Sequence, residues 1–236
     1  MFKHLILVYA LFSLPAHAGV IVYENDFENG VVGPAISGGG SVVGTQGYSA
    51  FGFGSRFLQN TTGSFEANSQ IATTITLSEL PTHDSINIGF LFAAINSWDG
   101  DNLPGGGAPD IFQVIVDGII VFSESFANFP GLPQTAGISN RIFTPTDLGF
   151  FFSTSREDSA YDYTAFTDFS NIAHTSDTLN LSFITAGAGW QGGGDESFGL
   201  DNITISLNGV KAVPEPGTLA LFGLGLFGLF RRRLFS

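Results

Sequence analysis

Ile111-Phe112-Gln113-Val114-Ile115-Val116-Asp117-Gly118-Ile119-Ile120-Val121-Phe122 reads as two apolar runs joined by Asp-Gly. That dipeptide tolerates the left-handed backbone of a tight turn, so the two runs are expected to fold back as an antiparallel hairpin. Elsewhere the same grammar recurs. Leu179, Leu181 and Phe183 alternate with Thr178, Asn180 and Ser182, the period of a half-buried strand. Ile71, Thr73, Ile75 and Leu77 share one strand face. Ile86, Ile88, Phe90 and Phe92 share another, and Leu91, Ala93 and Ile95 on its reverse side predict burial on both faces. Further strands are expected over Val20 to Tyr23 and up to Leu207. Helical periodicity is nearly absent, and no fixed-period repeat is visible. The prediction is an all-β antiparallel sandwich, of the jelly-roll kind.

Between these runs the reading is looser. Gly33 to Gly54 carries many glycines among Val42, Val43, Tyr48, Phe51 and Phe53, so its strands should be short and bent. Asn96 to Pro109 reads as loop, and Pro130 to Ser159 as loose strand around Ile142-Phe143 and Phe150 to Phe152.

The 236 residues hold 21 Asp and Glu against 8 Lys and Arg, a formal net charge of −13. So acidic a chain repels nucleic acid, which binding proteins meet with basic patches. It has no cysteine, which removes disulfides and thiolate metal sites. Four histidines, none in zinc-ligand spacing, and no Gly-x-Ser-x-Gly elbow leave catalysis little to stand on. Asp195-Glu196 offers carboxylates for a glycoside hydrolase, but neighbours on a strand point to opposite faces and cannot form the pair.

The two ends read as addresses. Met1 to Ala18 has Lys3, an apolar stretch from Leu5 to Leu14 and Ala16-His17-Ala18, the pattern of a cleaved secretory signal peptide. At the other end Pro214-Glu215-Pro216 precedes an apolar run from Thr218 to Phe230 and then Arg231-Arg232-Arg233. That run is short for a stable span, which needs about 20 apolar residues, so it reads as a short hydrophobic sorting helix rather than a lasting transmembrane helix. The arginines hold its far end in the cytoplasm. The tail, Val213 to Ser236, closely resembles the PEP-CTERM family of sorting signals. The resemblance implies recognition by an exosortase, an integral membrane peptidase, and delivery to the cell surface or extracellular matrix. The expected organisation is signal peptide 1–18, one sandwich domain 19–212 and sorting tail 213–236.

In the domain, carboxylates carry the chemistry. Asp201 has the parity of Ile203, Ile205 and Leu207, which places it inward on a regular strand. An unpaired buried carboxylate is costly, and only Arg56, Arg141, Arg156 and Lys211 between Gly19 and Ala212 could neutralise it as organic cations. Calcium, which takes oxygen ligands, is the economical partner. Glu24, Asp26 and Glu28 share one face on the first strand, Asp110 has the parity of Phe112 and Val114, and Asp99-Gly100-Asp101 resembles the start of a calcium loop. The domain as a whole resembles carbohydrate-binding and lectin-like jelly rolls, and the resemblance implies a structural calcium between Glu28 and Asp201, with Asp26 beside them. The expected metal ligands are Asp26, Glu28, Asp99, Asp101 and Asp201. Trp98 and Trp190, each beside a glycine-rich acidic loop, are the expected sugar-stacking faces. The expected function is a calcium-stabilised, non-enzymatic surface or matrix protein that binds polysaccharide, with a purely structural matrix component or a glycoside hydrolase as alternatives.

Overall fold

The computed structural model describes residues 19–210, apart from 64–69, 102–108, 130, 151–156 and 188–189. The signal peptide, the sorting tail with Pro214, Glu215 and Pro216, and Phe151 and Phe152 therefore lie outside the described residues. Among those described, no helix is long and apolar enough to cross a membrane.

Among the described residues thirteen strands follow one another: β1 (Val20–Asn25), β2 (Ile36–Gly38), β3 (Ser41–Gly44), β4 (Arg56–Asn60), β5 (Thr73–Leu77), β6 (Ser85–Asn96), β7 (Ile111–Val116), β8 (Ile119–Ser125), β9 (Arg141–Thr146), β10 (Asp158–Asp162), β11 (Ile172–Ala173), β12 (Leu179–Ala186) and β13 (Glu196–Asn208). They form two antiparallel sheets. The larger runs β3-β4-β13-β6-β10-β9, with β1 added on β13 and β11 on β6; the smaller runs β2-β5-β12-β7-β8. From β4 to β7 the chain changes sheet at every strand, the alternation of a jelly-roll sandwich.

The hairpin forms as read: β7 and β8 pair across a turn in which Asp117 (φ 48°) and Gly118 (φ 82°) are both left-handed. Strand β12 pairs β5 on one side and β7 on the other, so its alternating face must be covered, and Leu179, Leu181 and Phe183 are fully buried.

Strand β6 is buried on both faces because the large sheet has two apolar layers. Inward, Phe90, Phe92 and Ala94 join the core between the sheets with Phe112, Phe183 and Phe198. Outward, Leu91, Ala93 and Ile95 pack beneath Tyr48, Phe53 and Phe57. The glycine-rich segment thus supplies a cover as well as short strands. Its helical turn, Gln46–Phe51, is pinned through Gly47 N–H to Leu148 O (3.0 Å) and Tyr48 Oη to Ala94 O (2.9 Å). The Phe57 ring packs on Gly199, where an added Cβ would fall 1.9 Å from it, so only glycine lets the cover seat on β13.

Candidate functional site

The outer cover reaches only half-way along β13, and the reason is a bulge. Asp201 pairs with Leu91 and Thr204 with Gly89, so β13 spends one residue more than β6 between those pairs, with Asn202 left-handed (φ 48°). Leu200 and Ile203, three residues apart, then share the main core. This corrects the parity reading of Asp201: the strand is not regular there, and cross-strand pairing with Leu91 puts Asp201 on the outer face.

The bulge also divides the edge of β13. Before it, Phe198 to Leu200 pair with β4; after it, Ile203 to Leu207 pair with β1. Asp201 sits at the junction, 1% exposed, its Oδ1 accepting the Asn202 N–H at 2.8 Å. Burial pushes its carboxyl up to about 8, against the Asn202 bond, and the negative charges of Glu28 and Asp26 push the same way. Those two follow the end of β1 and flank Phe27, a buried residue held at φ 54°. The left-handed turn ends the strand, so Glu28 is not on a face with Glu24. Glu28 is caught instead by Ser55 N–H (2.7 Å), Ser55 Oγ (2.5 Å) and Arg56 N–H (3.0 Å), and the Ser55 hydroxyl leads in holding its carboxyl below the usual range. The structure thus sets Asp26 and Glu28 near enough for their charges to act on Asp201, beside Phe27, whose left-handed backbone costs about 1–3 kcal/mol.

Past the bulge the outer face is open. Asn87 and Gly89 of β6 and Thr204, Ser206 and Asn208 of β13 line a depression of about 460 Å³, which Thr164 and Asn171 wall. A second depression of about 320 Å³, lined by Glu24, Asp26 and Asn202, adjoins it across Thr164 and Thr204, and the two are taken together as a groove. Its amides are preset by one another: Asn208 Nδ2 donates to Asn87 Oδ1 (2.9 Å) and Asn171 Oδ1 (3.1 Å), and Asn87 Nδ2 donates to Ser206 Oγ (3.2 Å). Gly89 keeps the floor low, since a Cβ there would meet Thr204 Oγ1 at 2.8 Å. Sequence reading did not find these residues; as Asn, Ser and Thr on an alternating strand they look like any solvated face.

The tryptophans are a correction. Trp98 is fully buried and Trp190 is 2% exposed, so neither offers a face to a sugar. Trp98 Nε1 donates to Ser197 O (2.9 Å) and Trp190 Nε1 to Thr62 O (3.3 Å), and the rings meet edge to face at 5.0 Å. An indole beside a strand end can turn inward whenever its N–H finds a carbonyl, and here both do.

The calcium-loop residues part company. Asp101 turns to accept the Ser125 hydroxyl at 2.5 Å. Asp99 turns the other way, where its N–H donates to Asp110 Oδ2 at 2.6 Å. One oxygen each of Asp99, Asp110 and Glu196 lies within 4.8 Å of the others, a convergence that Asp26, Glu28 and Asp201 do not reach. Asp110 and Glu196 are fully buried, as parity predicted for Asp110, and burial leads in pushing them up to about 7 and about 9. A glycosidase acid must touch substrate, and Glu196 at 0% exposure has no such access.

Asp158 is a separate buried carboxylate that ties β6 to the outer cover, accepting N–H groups of Asn96 (2.9 Å) and Leu148 (2.7 Å). Burial pushes it up to about 6 despite those bonds. The folded state therefore holds this proton more tightly than the unfolded chain does. Its contribution to stability is complete below about pH 4 and is lost as pH rises to about 6, a change of roughly 3 kcal/mol. Thermal unfolding at about pH 4 and about pH 7 should show a larger fall for the wild type than for Asp158→Asn. Equal falls in the two proteins would refute the assignment.

Comparison with known proteins adds the address. The PEP-CTERM protein-sorting motif matches residues 212–233. It marks an exported protein that its tail holds transiently at the membrane. No curated protein matches the chain by sequence. Among solved structures, the xylan-binding CBM22-1 domain of Paenibacillus barcinonensis Xyn10C is similar at 15% identity over 84% of this chain and 99% of its own, with a TM-score of 0.36. The mannan-recognising carbohydrate-binding module TmCBM27 is similar at 11% identity over 81% and 99%, with a TM-score of 0.43. The K1 cleaved adhesin domain of Lys-gingipain from Porphyromonas gingivalis W83 is similar at 12% identity over 79% and 98%, with a TM-score of 0.38.

Proposed function

We propose that this is a non-catalytic surface or matrix protein, processed by an exosortase at Pro214, Glu215 and Pro216, whose sandwich binds polysaccharide along the groove of Asn87, Asn171, Thr204 and Asn208. The groove carries the reading. Its larger depression is a row of uncharged, mutually oriented donors and acceptors on a chain of formal charge −13, which suits a neutral ligand rich in hydroxyls. A calcium ion beside Asp201, Glu28 and Asp26 is part of the same proposal, because it would relieve the buried charge at the bulge and hold the groove's acidic end.

Affinity electrophoresis of the full-length protein through gels containing soluble polysaccharides is the direct test. Retardation by at least one polysaccharide is expected, reduced about tenfold or more in Asn87→Ala/Asn208→Ala, which removes two hydrogen-bonding side chains. Retardation by none would leave a structural matrix component as the function. In the same samples calcium should raise the unfolding midpoint, by about 2.7 kcal/mol at 100 times its dissociation constant. That gain should shrink in Asp201→Asn; an undiminished gain would remove the ion from the bulge.

A further inference from the structure

We propose that Asp99, Asp110 and Glu196 form a second divalent-cation site, of the calcium class, that clamps the two sheets together at the end of the sandwich away from the Asp201 bulge. The three residues come from different strand ends: Asp99 just after β6, Asp110 just before β7 and Glu196 at the start of β13. Strands β6 and β13 belong to the large sheet and β7 to the small one. An ion here would add a bridge between layers that hydrogen bonds already join, at this end through Asp99 N–H to Asp110 Oδ2 and further off through Asn60 Nδ2 to Thr73 Oγ1 (3.0 Å).

The carboxylates alone would not make a site; their unmet oxygens do. Asp110 and Glu196 are both 0% exposed. Each uses one oxygen on a backbone N–H, Asp110 Oδ2 on Asp99 and Glu196 Oε2 on Gln191 (2.8 Å). The other oxygens, Asp110 Oδ1 and Glu196 Oε1, have no hydrogen-bond partner among the described residues. Without a cation the pair must hold a proton between its carboxyls, whereas with both ionised each unmet buried oxygen is free to face an ion. Among the described residues, the charges acting on this pair, from Asp99 and Asp195, are negative and favour a cation.

The spacing suits one ion. Calcium binds oxygen at about 2.3–2.6 Å, so two of its ligands stand at most about 5 Å apart. The three oxygens lie within 4.8 Å of one another. An oxygen-only ligand set selects a hard cation over zinc or copper. This inference is independent of the polysaccharide reading, and its residues are separate from those at the bulge.

Terbium, a calcium-like ion that emits when a nearby aromatic ring is excited, can tell the two sites apart. The only two tryptophans in the chain adjoin this cluster in sequence or through Gln191, and their rings are 5.0 Å apart. With full-length protein excited where tryptophan alone absorbs, sensitised emission is expected and calcium should displace it. It should persist in Asp201→Asn and weaken in Glu196→Gln by more than the ~10–100-fold that loss of an outer partner causes. If Glu196→Gln does not fold, Asp99→Asn, at a partly buried ligand, gives the same readout. No emission from the folded wild type, or equal emission from the ligand variants, would overturn the site and leave the pair bridged by a proton.

Discussion

Trp98→Ala is expected to lower stability by about 4–5 kcal/mol, the cost of deleting a fully buried aromatic. Trp98 packs against Phe92 (5.8 Å), Phe126 (5.7 Å) and Trp190 (5.0 Å), so the cavity would open between several rings that cannot all close on it. Its loss also strands the Ser197 carbonyl, adding about 1 kcal/mol. In a domain of this size each kcal/mol moves the unfolding midpoint by about 2–4 °C, so a fall of at least about 10 °C should be seen. The functional consequence is direct. Any loss of polysaccharide binding in this variant would report unfolding, and the groove variants are the proper test of the ligand. A variant with an unchanged midpoint and abolished binding would instead restore Trp98 as a sugar platform.

Phe92→Ala should cost about 3–5 kcal/mol, close to the whole margin of many domains. Phe92 lies on the central strand β6 and faces Phe112 on β7 of the opposite sheet, with ring centres 4.2 Å apart. It also meets Phe126 (4.7 Å), Tyr161 (6.0 Å) and Phe198 (6.5 Å), so one side chain ties together elements of both sheets. Calorimetry should show a midpoint at least about 6 °C lower, with the β-sheet circular dichroism unchanged at low temperature. A shift within about 2 °C would mean that the neighbouring rings refill the space, and the hub description would fail. Because Phe92 and Trp98 touch, the double variant should cost less than the two single losses together.

Much of the architecture was legible locally. Asp117-Gly118 names its own turn, because few residue pairs accept two left-handed conformations in succession. Leu179, Leu181 and Phe183 name their face, and the double-sided apolar run of β6 already called for a cover on each side. The segment that provides that cover was illegible: Tyr48, Phe53 and Phe57 stand among glycines without a period, and their destination depends on Gly199, about 140 residues later in the chain. Short strands such as β2 and β11 carry too few residues to show alternation at all.

The candidate sites divide in the same way. Carboxylate chemistry was visible in Asp26, Glu28, Asp99 and Asp201, because residue type and scarcity of basic partners can be counted along a chain. Their grouping was not. One extra residue at the β13 bulge turned Asp201 outward, and the pairing of β13 with β6 brought Glu196 to Asp99 and Asp110 across about 100 residues. His83 and His174, stacked with ring nitrogens 2.7 Å apart and reaching Asp117 at 3.0 Å, likewise showed no common signal.

From the sequence alone came the address at 212–233, the absence of cysteine chemistry, the antiparallel strand grammar and the excess of acid, since each is a property of contiguous residues or of composition. Tertiary structure alone decided that the tryptophans are core, that the amides of β6 and β13 make a groove, and that the carboxylates fall into two separate groups. Those outcomes depend on register and on a single bulge, and a strand carries no local record of which neighbour it will pair with or where that pairing slips.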